Sequence, residues 1–355
     1  MKYFSMFSGI GGFELGIKQA ITIINSKNQL CNRQQLLERD HDRRILQEEK
    51  KATCVGYSEI DKYAIQIYEK HFRGHKNYGD ATTIIPETIP DFDLLVGGFP
   101  CQAFSIAGKR RGFEDTRGTL FFDIARIIKV KQPRLFVLEN VKGLLNHNKG
   151  ETFTTILQTI DELGYDVQWE VLNSKHFGVP QNRERVFIIG HLRGTSRPEI
   201  FPIRGTNLKD IKQLNNPIHS NNRLYSKEGI SPCINTAQGG NRQPFIKAVL
   251  TPNRIEKRQN GRRIKEDGEP SFTLTGQDIH GILKDSRIRR LTPTECERLQ
   301  GFPDGWTEGL SDTQRYKTLG NAVTVNVIEA IFNRLLLINQ IGTTQRGDSQ
   351  EDDEE

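Results

Sequence analysis

Residues 97–108, GGFPCQAFSIAG, contain the group best suited to nucleophilic chemistry, the thiol of Cys101. This cysteine follows a proline at the end of an apolar run and precedes small residues, so the sequence presents the thiol instead of enclosing it. A thiol enclosed by apolar neighbours is inert, whereas one at the start of a helical turn is favoured as the reactive thiolate. The pattern therefore predicts a nucleophilic cysteine.

A carboxyl group and a set of fixed donors could work beside this thiol. Glu139 closes the apolar run RLFVLENV, where partial desolvation would let its carboxyl group donate a proton near neutrality. An acidic residue at a helix N-terminus explains the position equally well. Gln181, Arg183 and Arg185 stand at alternate positions of VPQNRER, so on a strand they would share one face. Three fixed donors on one face suit an anionic or carbonyl-bearing substrate.

Two loops have the composition of a nucleoside-binding site. Residues 7–12, FSGIGG, follow a short apolar run, and their glycines let a ligand approach the backbone before the next helix. The stretch is not G-x-G-x-x-G, and alone it is a weak signal. Glu59 follows the second apolar run, where a carboxylate usually binds ribose hydroxyls, although a solvent-exposed glutamate would look the same. With Asp80 as a third polar group, the order of these features favours a nucleoside-containing cofactor.

The elements that must position these groups alternate between strand and helix patterns from Lys2 to Leu192. Short apolar runs that end in glycine or acidic residues predict strands, and the stretches between them have helical spacing. This order predicts a doubly wound, mostly parallel α/β sheet, whose ligands bind beyond the carboxyl ends of its strands. Residues 21–51 are polar and charged, and we expect an exposed helix or loop inserted there.

Positive charge is concentrated in one segment of the chain. Residues 191–290 contain 19 Lys and Arg against 9 Asp and Glu, a net of +10, while the remaining residues have a net of −4. A basic segment on an acidic body predicts a surface for a polyanion, although a solvated basic surface has the same composition. Because Gly, Asn and Pro are frequent in this segment, we expect an irregular second domain.

Composition also argues against several classes of protein. No run approaches the roughly 18 apolar residues of a membrane span, and the N-terminus lacks the pattern of a signal peptide, so we expect a cytoplasmic protein. No two cysteines form a C-x-x-C pair, which argues against a metal site and against a disulfide framework. The five are Cys31, Cys54, Cys101, Cys233 and Cys296.

Taken together, these residues resemble the C5-cytosine DNA methyltransferases of bacterial restriction–modification systems. Nine blocks occur in the order of that family and cover residues 1–190 and 286–328. The blocks GFPCQAFS and QNRER are highly specific. The nine are FSGIGG, YSEID, GD, GFPCQAFS, RGTLFFDIARI, LENVKGL, FGVPQNRERVFIIG, RRLTPTECERLQGFP and GNAVTVNV.

The resemblance implies methylation of C5 of a cytosine by S-adenosylmethionine on a Rossmann-like sheet, without a metal. In the family a thiolate adds to C6 of the base, and Cys101 matches that residue. Glu139 matches the acid that protonates ring N3. Arg183 and Arg185 match residues that hold the base and the thiol loop, and Gln181 matches a supporting contact. Because C5 is inaccessible inside a duplex, the base must be flipped out.

The resemblance also implies a set of cofactor contacts. Phe7 matches an aromatic residue that faces the adenine, and Glu59 matches the ribose carboxylate. Ile60 departs from the bulkier aromatic residue that often follows that glutamate. The full set is Phe7, Ile10, Gly11, Glu59, Ile60, Asp80, Pro100, Leu120, Asn321 and Val323.

On this basis we expect four parts along the chain. Residues 1–190 form the catalytic and cofactor-binding domain, and residues 191–310 form the target-recognition domain. Residues 311–341 return to the catalytic domain, and residues 342–355 form an acidic, disordered tail. Phosphate contacts from the basic domain give affinity for double-stranded DNA, while contacts to base edges give specificity.

The expected protein is prokaryotic or phage-encoded and acts as a monomer on double-stranded DNA. The chain does not say whether the protein is an orphan or is accompanied by a cognate restriction endonuclease, and with such an endonuclease we expect no stable complex. Within the recognition domain, Thr273 and Leu274 match a small Thr–Leu element common in such regions. The recognised DNA sequence is not readable from the chain.

Alternatives on related scaffolds are less consistent with the sequence. A tRNA cytosine-5 methyltransferase generally has a shorter, less basic insertion, and an inactive DNA-binding homologue would be expected to lose Cys101 or Glu139. A nicotinamide oxidoreductase explains the sheet and Glu59 but neither PCQ nor QNRER. A methylase of exocyclic amines needs two adjacent prolines, and the sequence has no such pair.

Overall fold

A computed structural model describes most of the first 203 residues and much of the C-terminal part. The described residues are 1–37, 49–100, 120–196, 198–203, 247–250, 264–265, 269–275, 280–284 and 287–344. Cys101, most of the basic segment and the acidic end of the chain therefore lie outside the described residues. Within the described ranges, no helix combines the length and the apolar content that crossing a bilayer requires.

Six strands form the main sheet. They are Lys2–Met6 (β1), Thr53–Ser58 (β2), Leu94–Gly98 (β3), Leu135–Val141 (β4), Tyr165–Asn173 (β5) and Glu184–Leu192 (β6). Their order is β2-β1-β3-β4-β6-β5; β2, β1, β3 and β4 are parallel neighbours, and β6 is antiparallel to β4. The expected doubly wound, mostly parallel sheet is confirmed. Because the first four strands are parallel, the loops that follow them share one edge of the sheet.

Among the described residues, four α-helices lie between these strands. They are Gly12–Leu37 (α1), Lys62–His71 (α2), Leu120–Lys131 (α3) and Glu151–Glu162 (α4). Apolar residues of α3 and α4 pack in one cluster with Phe4, Leu95 and Phe136 of the central strands, which are fully buried. Continuous apolar runs such as LLV and LFVL form these strands because a strand covered on both faces has no polar side.

The polar insertion is in part a continuation of α1. This helix extends to Leu37, and within it Ile24 and Asn28 are buried. The amide of Asn25 donates to the carbonyl oxygen of Lys50 (2.9 Å) and accepts from its N–H group (2.8 Å). The expected exposed helix is therefore present in the first part of the insertion, where most side chains from residue 21 to residue 31 are half-buried or exposed, and these contacts hold it beside the start of β2. Residues 38–48 lie outside the described residues.

The chain divides into two compact units whose boundaries differ from the expected domains. The first contains Met1–Val171, Arg185–Ile203 and Val327–Glu355, and the second contains Leu172–Glu184 and Arg204–Asn326. Residues 191–203 group with the first unit because Gln168 of β5 accepts the N–H group of Ile200 (2.8 Å) and donates to the Pro198 carbonyl (2.9 Å).

The second unit has more regular structure than its composition predicts. The strands Lys247–Leu250 (β7), His280–Lys284 (β8) and Arg287–Arg290 (β9) form an antiparallel sheet. The helices Pro293–Leu299 (α5) and Asp312–Asn321 (α6) follow, and Val325–Thr344 (α7) begins at its end. Thr292 and Glu295 form a capping box that fixes the start of α5. From Val327 onward α7 groups with the first unit, whereas residues 311–326 of the expected C-terminal segment group with the second.

Candidate active site

The loop after β1 has a backbone suited to close ligand approach. Phe7 has a φ of +52°, and Gly9 and Gly11 have φ values of +56° and +86°. A Cβ atom at position 11 would lie 2.3 Å from the ring of Phe72, so only glycine fits there. Left-handed backbone at a non-glycine residue costs roughly 1 kcal/mol or more, and such strain is concentrated at functional sites. Ile10 is 1% exposed, so a cofactor contact from this residue would use its backbone.

Glu59 joins this loop to the start of α2. Its Oε2 atom accepts from the N–H group of Gly9 (2.8 Å), and Oε1 accepts from the N–H groups of Ile60 (2.8 Å) and Asp61 (2.9 Å). Asp61 in turn caps α2 through its carboxylate. The side chain of Ile60 is 70% exposed, which places an apolar surface immediately after this carboxylate.

Three further predicted cofactor contacts lie at the ends of elements in the first unit. Asp80 is exposed and caps a short 3₁₀ turn, and hydrogen bonds from the Thr82 backbone and hydroxyl hold the pKa of Asp80 below its usual range. Pro100 is exposed at the last described position before residue 120, and Leu120 is the half-exposed first residue of α3. Asp80 is therefore ionised at neutral pH and available as an acceptor.

Glu139 has a defined partner at the end of β4. Its Oε1 atom lies 2.9 Å from the Nε atom of Arg185, and the two side chains are 12% and 17% exposed. In the antiparallel pairing of β4 and β6, Val141 stands opposite Arg185, two positions beyond Glu139. The guanidinium compensates the burial of the carboxylate, and this partner was not predicted from the sequence of the strand.

The strand on the other side of β4 supplies the space for this carboxyl group. Gly98 of β3 pairs with Glu139, and a Cβ atom at position 98 would lie 3.2 Å from its Oε2 atom. The next residue of β4, Asn140, is buried and donates from its amide to the carbonyl oxygen of Phe99 (2.9 Å). This bond ties the end of β4 to the chain two residues before Cys101, which itself lies outside the described residues.

Gln181 and Arg183 have internal roles in the second unit. Both are buried, at 0% and 2% exposure. The guanidinium of Arg183 donates to the carbonyl oxygens of Leu274 (2.7 Å), Gly320 (3.2 Å) and Ala322 (2.8 Å). The expectation of three donors presented to a substrate is therefore wrong for these two residues, because backbone groups of their own unit bind their side chains.

The amide of Gln181 is used in the same way. It donates to the carbonyl oxygen of Leu299 (2.7 Å) and accepts from the N–H group of Leu274 (2.8 Å). Of the two cofactor contacts expected from the C-terminal region, Asn321 is exposed at the end of α6, while Val323 is 9% exposed. Both belong to the second unit.

Comparison with known proteins shows which family this chain belongs to. A model of C-5 cytosine-specific DNA methylases matches residues 1–336. The chain belongs to this methylase family. The resemblance in sequence is confirmed, and so is the enzyme class, DNA (cytosine-5-)-methyltransferase, since relatives are named type II or orphan methyltransferases.

Two relatives and one solved structure illustrate how closely this methylase matches known proteins. Orphan methyltransferase M.SPRI of Bacillus phage SPR is 35% identical over an alignment of 455 positions, covering 95% of this chain and 97% of the phage protein. Type II methyltransferase M1.ScrFI of Lactococcus lactis subsp. cremoris is 40% identical over 347 positions, covering 94% and 78% of the two proteins. The crystal structure of S. pombe Dnmt2 methyltransferase has a TM-score of 0.61 at 16% identity, with coverage of 96% and 99%, and shares the fold.

Sequence reasoning missed two residues that organise this methylase. Asn140 stands inside the block LENVKGL, and Gln300 stands inside RRLTPTECERLQGFP. Gln300 is fully buried and donates from its amide to the carbonyl oxygens of Leu319 (2.7 Å) and Ala322 (3.3 Å). Each of these polar residues stands inside a block that matches the family, and this could have marked it as a candidate. Its hydrogen-bond partner could not have been predicted, because the partner is distant in the sequence.

Proposed function

We propose that this methylase transfers the methyl group of S-adenosylmethionine to C5 of a flipped-out cytosine within a specific sequence of double-stranded DNA. The observation that carries the proposal is the Glu139–Arg185 pair at the carboxyl edge of the sheet, in a chain of the cytosine-C5 family. We further propose that it is a modification enzyme of a restriction–modification system, since relatives are named type II methyltransferases. One copy carries all of these elements, so we propose the monomer as the active species.

In the proposed reaction Glu139 acts on the base and Arg185 orients Glu139. The thiolate of Cys101 forms a bond to C6 with its own electron pair, and Glu139 gives a proton to N3, which removes the negative charge that would develop on the ring. With Oε1 bound by Arg185, the Oε2 atom beside Gly98 is the oxygen we assign to the proton. The methyl group that C5 would receive comes from S-adenosylmethionine, whose methyl–sulfur bond breaks with its electron pair left on the cofactor's sulfur. Loss of the C5 proton to solvent then returns the C–S electrons to the sulfur of Cys101, N3 returns its proton to Glu139, and the enzyme is freed.

The residues of the first unit fit the cofactor that this reaction requires. S-adenosylmethionine supplies a methyl group activated by a sulfonium. The Glu59 carboxylate would accept from ribose hydroxyls, and the exposed Ile60 side chain offers an apolar surface to the adenine. The Asp80 carboxylate would be a further acceptor, and the left-handed loop at Phe7 lets the ligand approach the backbone.

The basic segment fits a DNA substrate. Its net charge of +10 over residues 191–290 would neutralise phosphates and release counterions, so we expect affinity to fall as salt rises from about 50 to 200 mM. A tRNA substrate remains the alternative within the scaffold, and methylation assays on both nucleic acids distinguish the two.

The test is covalent trapping. A duplex with 5-fluorocytosine at the target cannot lose the C5 substituent as a cation, so methyl transfer should leave protein and DNA joined in the presence of S-adenosylmethionine. The target is first found by bisulfite sequencing of DNA from cells that express the protein. The joined species should survive denaturing electrophoresis, disappear in Cys101→Ala and form more slowly in Glu139→Gln. Cys31→Ala, at a half-buried cysteine of α1, is the control and should trap normally. Trapping by Cys101→Ala equal to the wild type would sink the assignment of the nucleophile.

A further inference from the structure

A group of buried polar side chains in the second unit connects four segments that are far apart in the sequence. Its members are Gln181, Arg183 and Gln300, each at most 2% exposed. We call these three residues the polar hub. The resemblance assigned Arg183 to the base and the thiol loop and Gln181 to a supporting contact there, but the reaction proposed above uses none of the three side chains on the base.

The hub binds both backbone polar groups of one residue in the basic segment, Leu274. The N–H group of Leu274 donates to Oε1 of Gln181 (2.8 Å), and its carbonyl oxygen accepts from Nη1 of Arg183 (2.7 Å). The side chain of Leu274 is 3% exposed, so the residue is anchored at both its backbone and its side chain.

The backbone next to the hub reinforces this anchor. Ser271 donates from its N–H group to the carbonyl oxygen of Pro180 (2.8 Å) and accepts from the N–H group of Asn182 (2.9 Å). The hydroxyl of Thr273 donates to the carbonyl oxygen of Asn182 (2.6 Å). Residues 180–183 and 271–274 therefore run side by side as a short paired strip.

Gln300 links this strip to the end of α6. Its Oε1 atom accepts from Nε2 of Gln181 (3.2 Å) and from the hydroxyl of Thr324 (2.9 Å), while Nε2 donates to the Leu319 and Ala322 carbonyls. Only an amide offers two donors and one acceptor atom in this geometry, since a carboxylate would face two carbonyl oxygens. Gln300 thus fixes the position of Gln181, which in turn binds the backbone of Leu274.

We propose that Gln181, Arg183 and Gln300 are positioning residues for DNA specificity, which hold residues 271–275 in the one placement that reads the correct duplex. The inference rests on the proposed function, because that function takes the basic segment, residues 191–290, as the part that binds DNA, and residues 271–275 lie within it. If residues 271–275 can shift by a fraction of an ångström, they can adjust their contacts to the base edges of an altered site as well as to those of the correct site. Discrimination between correct and altered sites then falls, even where phosphate contacts keep the affinity high.

The test compares discrimination in Arg183→Lys and Arg315→Lys. Arg315 is the matched control because it is a mostly buried arginine of the same unit, bound to Glu297 (3.0 Å) and Thr307 (2.9 Å) and not to residues 271–275. For each enzyme, kcat/KM is measured on the target duplex and on a panel with one altered base pair. The ratio of the two values is independent of how much enzyme is folded, so a merely structural role leaves it unchanged.

Arg183→Lys should lower this ratio about tenfold at one or more positions, since one mismatched base pair is worth about that much or more. The ammonium of lysine is a compact point charge and, unlike the planar guanidinium with its forked donors, cannot reach all three carbonyl oxygens. Arg315→Lys should lower stability without changing the ratio. Gln181→Met, which keeps the side-chain volume, serves as the second variant if Arg183→Lys does not fold, and it should lower the ratio in the same way.

The possible failures are distinguishable. An unaltered ratio in folded Arg183→Lys and Gln181→Met, with a wild type that methylates its target, overturns the role of the hub and leaves the proposed function intact. An equal fall of the ratio in Arg315→Lys also overturns it, because general loosening of the unit would then explain the loss. A wild type that methylates no duplex overturns the proposed function and this inference together.

Discussion

Arg183 and Arg185 stand two residues apart in one motif and belong to different compact units. Arg183 is 2% exposed and binds three backbone carbonyl oxygens, whereas the side chain of Arg185 is 17% exposed and binds the carboxylate of Glu139. The same type of side chain therefore has two roles: the guanidinium of Arg183 binds backbone in one unit, and that of Arg185 orients a carboxylate in the other. The ligand of an arginine, and not its place in a motif, decides its role.

The largest expected effect follows from breaking the Arg185 side of this comparison. Arg185→Met leaves the Glu139 carboxyl group without the bond that orients it, so kcat should fall about 10²- to 10³-fold, the size of a general-acid contribution. Arg185→Lys keeps a positive charge beside the carboxylate and should lose less. Single-turnover transfer of a labelled methyl group to the target duplex measures both. A loss of less than about threefold in Arg185→Met would remove Arg185 from the chemistry.

A second buried carboxyl group in the first unit sharpens the comparison, because its partner is a neutral hydroxyl and not a guanidinium. Glu14, in the first turn of α1, is 1% exposed and accepts from the hydroxyl of Tyr68 (3.0 Å), which also lies 3.1 Å from Nδ1 of His75. Burial raises the pKa of Glu14 from 4.5 to about 7. A group whose pKa is raised by folding stabilises the protein below its unfolded value, and that stabilisation is lost as pH rises to the folded value.

Glu14→Gln should therefore gain stability relative to the wild type as pH rises from about 4.5 to about 7, by about 3 kcal/mol in total, and the difference should stay constant above that range. Urea unfolding at pH 5 and at pH 8 measures the change. Glu87→Gln, the same substitution on an exposed turn, should show no such dependence. A stability difference that is the same at both pH values would show that Glu14 is ionised in the folded protein throughout.

The smallest expected effect tests how closely the Glu139 carboxyl group is held. Gly98→Ala places a methyl group 3.2 Å from Oε2, so the carboxyl group must move by a few tenths of an ångström. We expect kcat to fall roughly tenfold, because misplaced reacting groups lose much of their rate advantage. The free energy of unfolding should change by less than about 1 kcal/mol.

Gly143→Ala is the matched control for this substitution, since the nearest atom to its added methyl group is the Cγ2 atom of Val141, at 4.0 Å. Its kcat should match the wild type. Equal rates for both variants would mean that the space beside Gly98 does not limit the position of Glu139.

The sequence by itself determined the mostly parallel sheet and the strand ends at which Glu59 and Glu139 stand. Apolar runs such as LLV and LFVL are local signals, and a carboxylate at the end of a parallel strand falls at the ligand edge whatever the rest of the chain does. Glu59 and Glu139 could be placed for that reason. The family followed from blocks whose order is also a property of the sequence alone.

Only the tertiary structure decided what each polar side chain binds. Alternation in QNRER predicted one shared face, but Arg183 binds a carbonyl 139 residues away and Gln181 binds one 118 residues away. The burial of Glu14 likewise depends on a contact with α2, and the extension of α1 through a polar stretch depends on a contact with Lys50, just before β2. A hydrogen bond is set by distances of about 3 Å between groups that folding brings together, and no periodicity in the sequence encodes those distances.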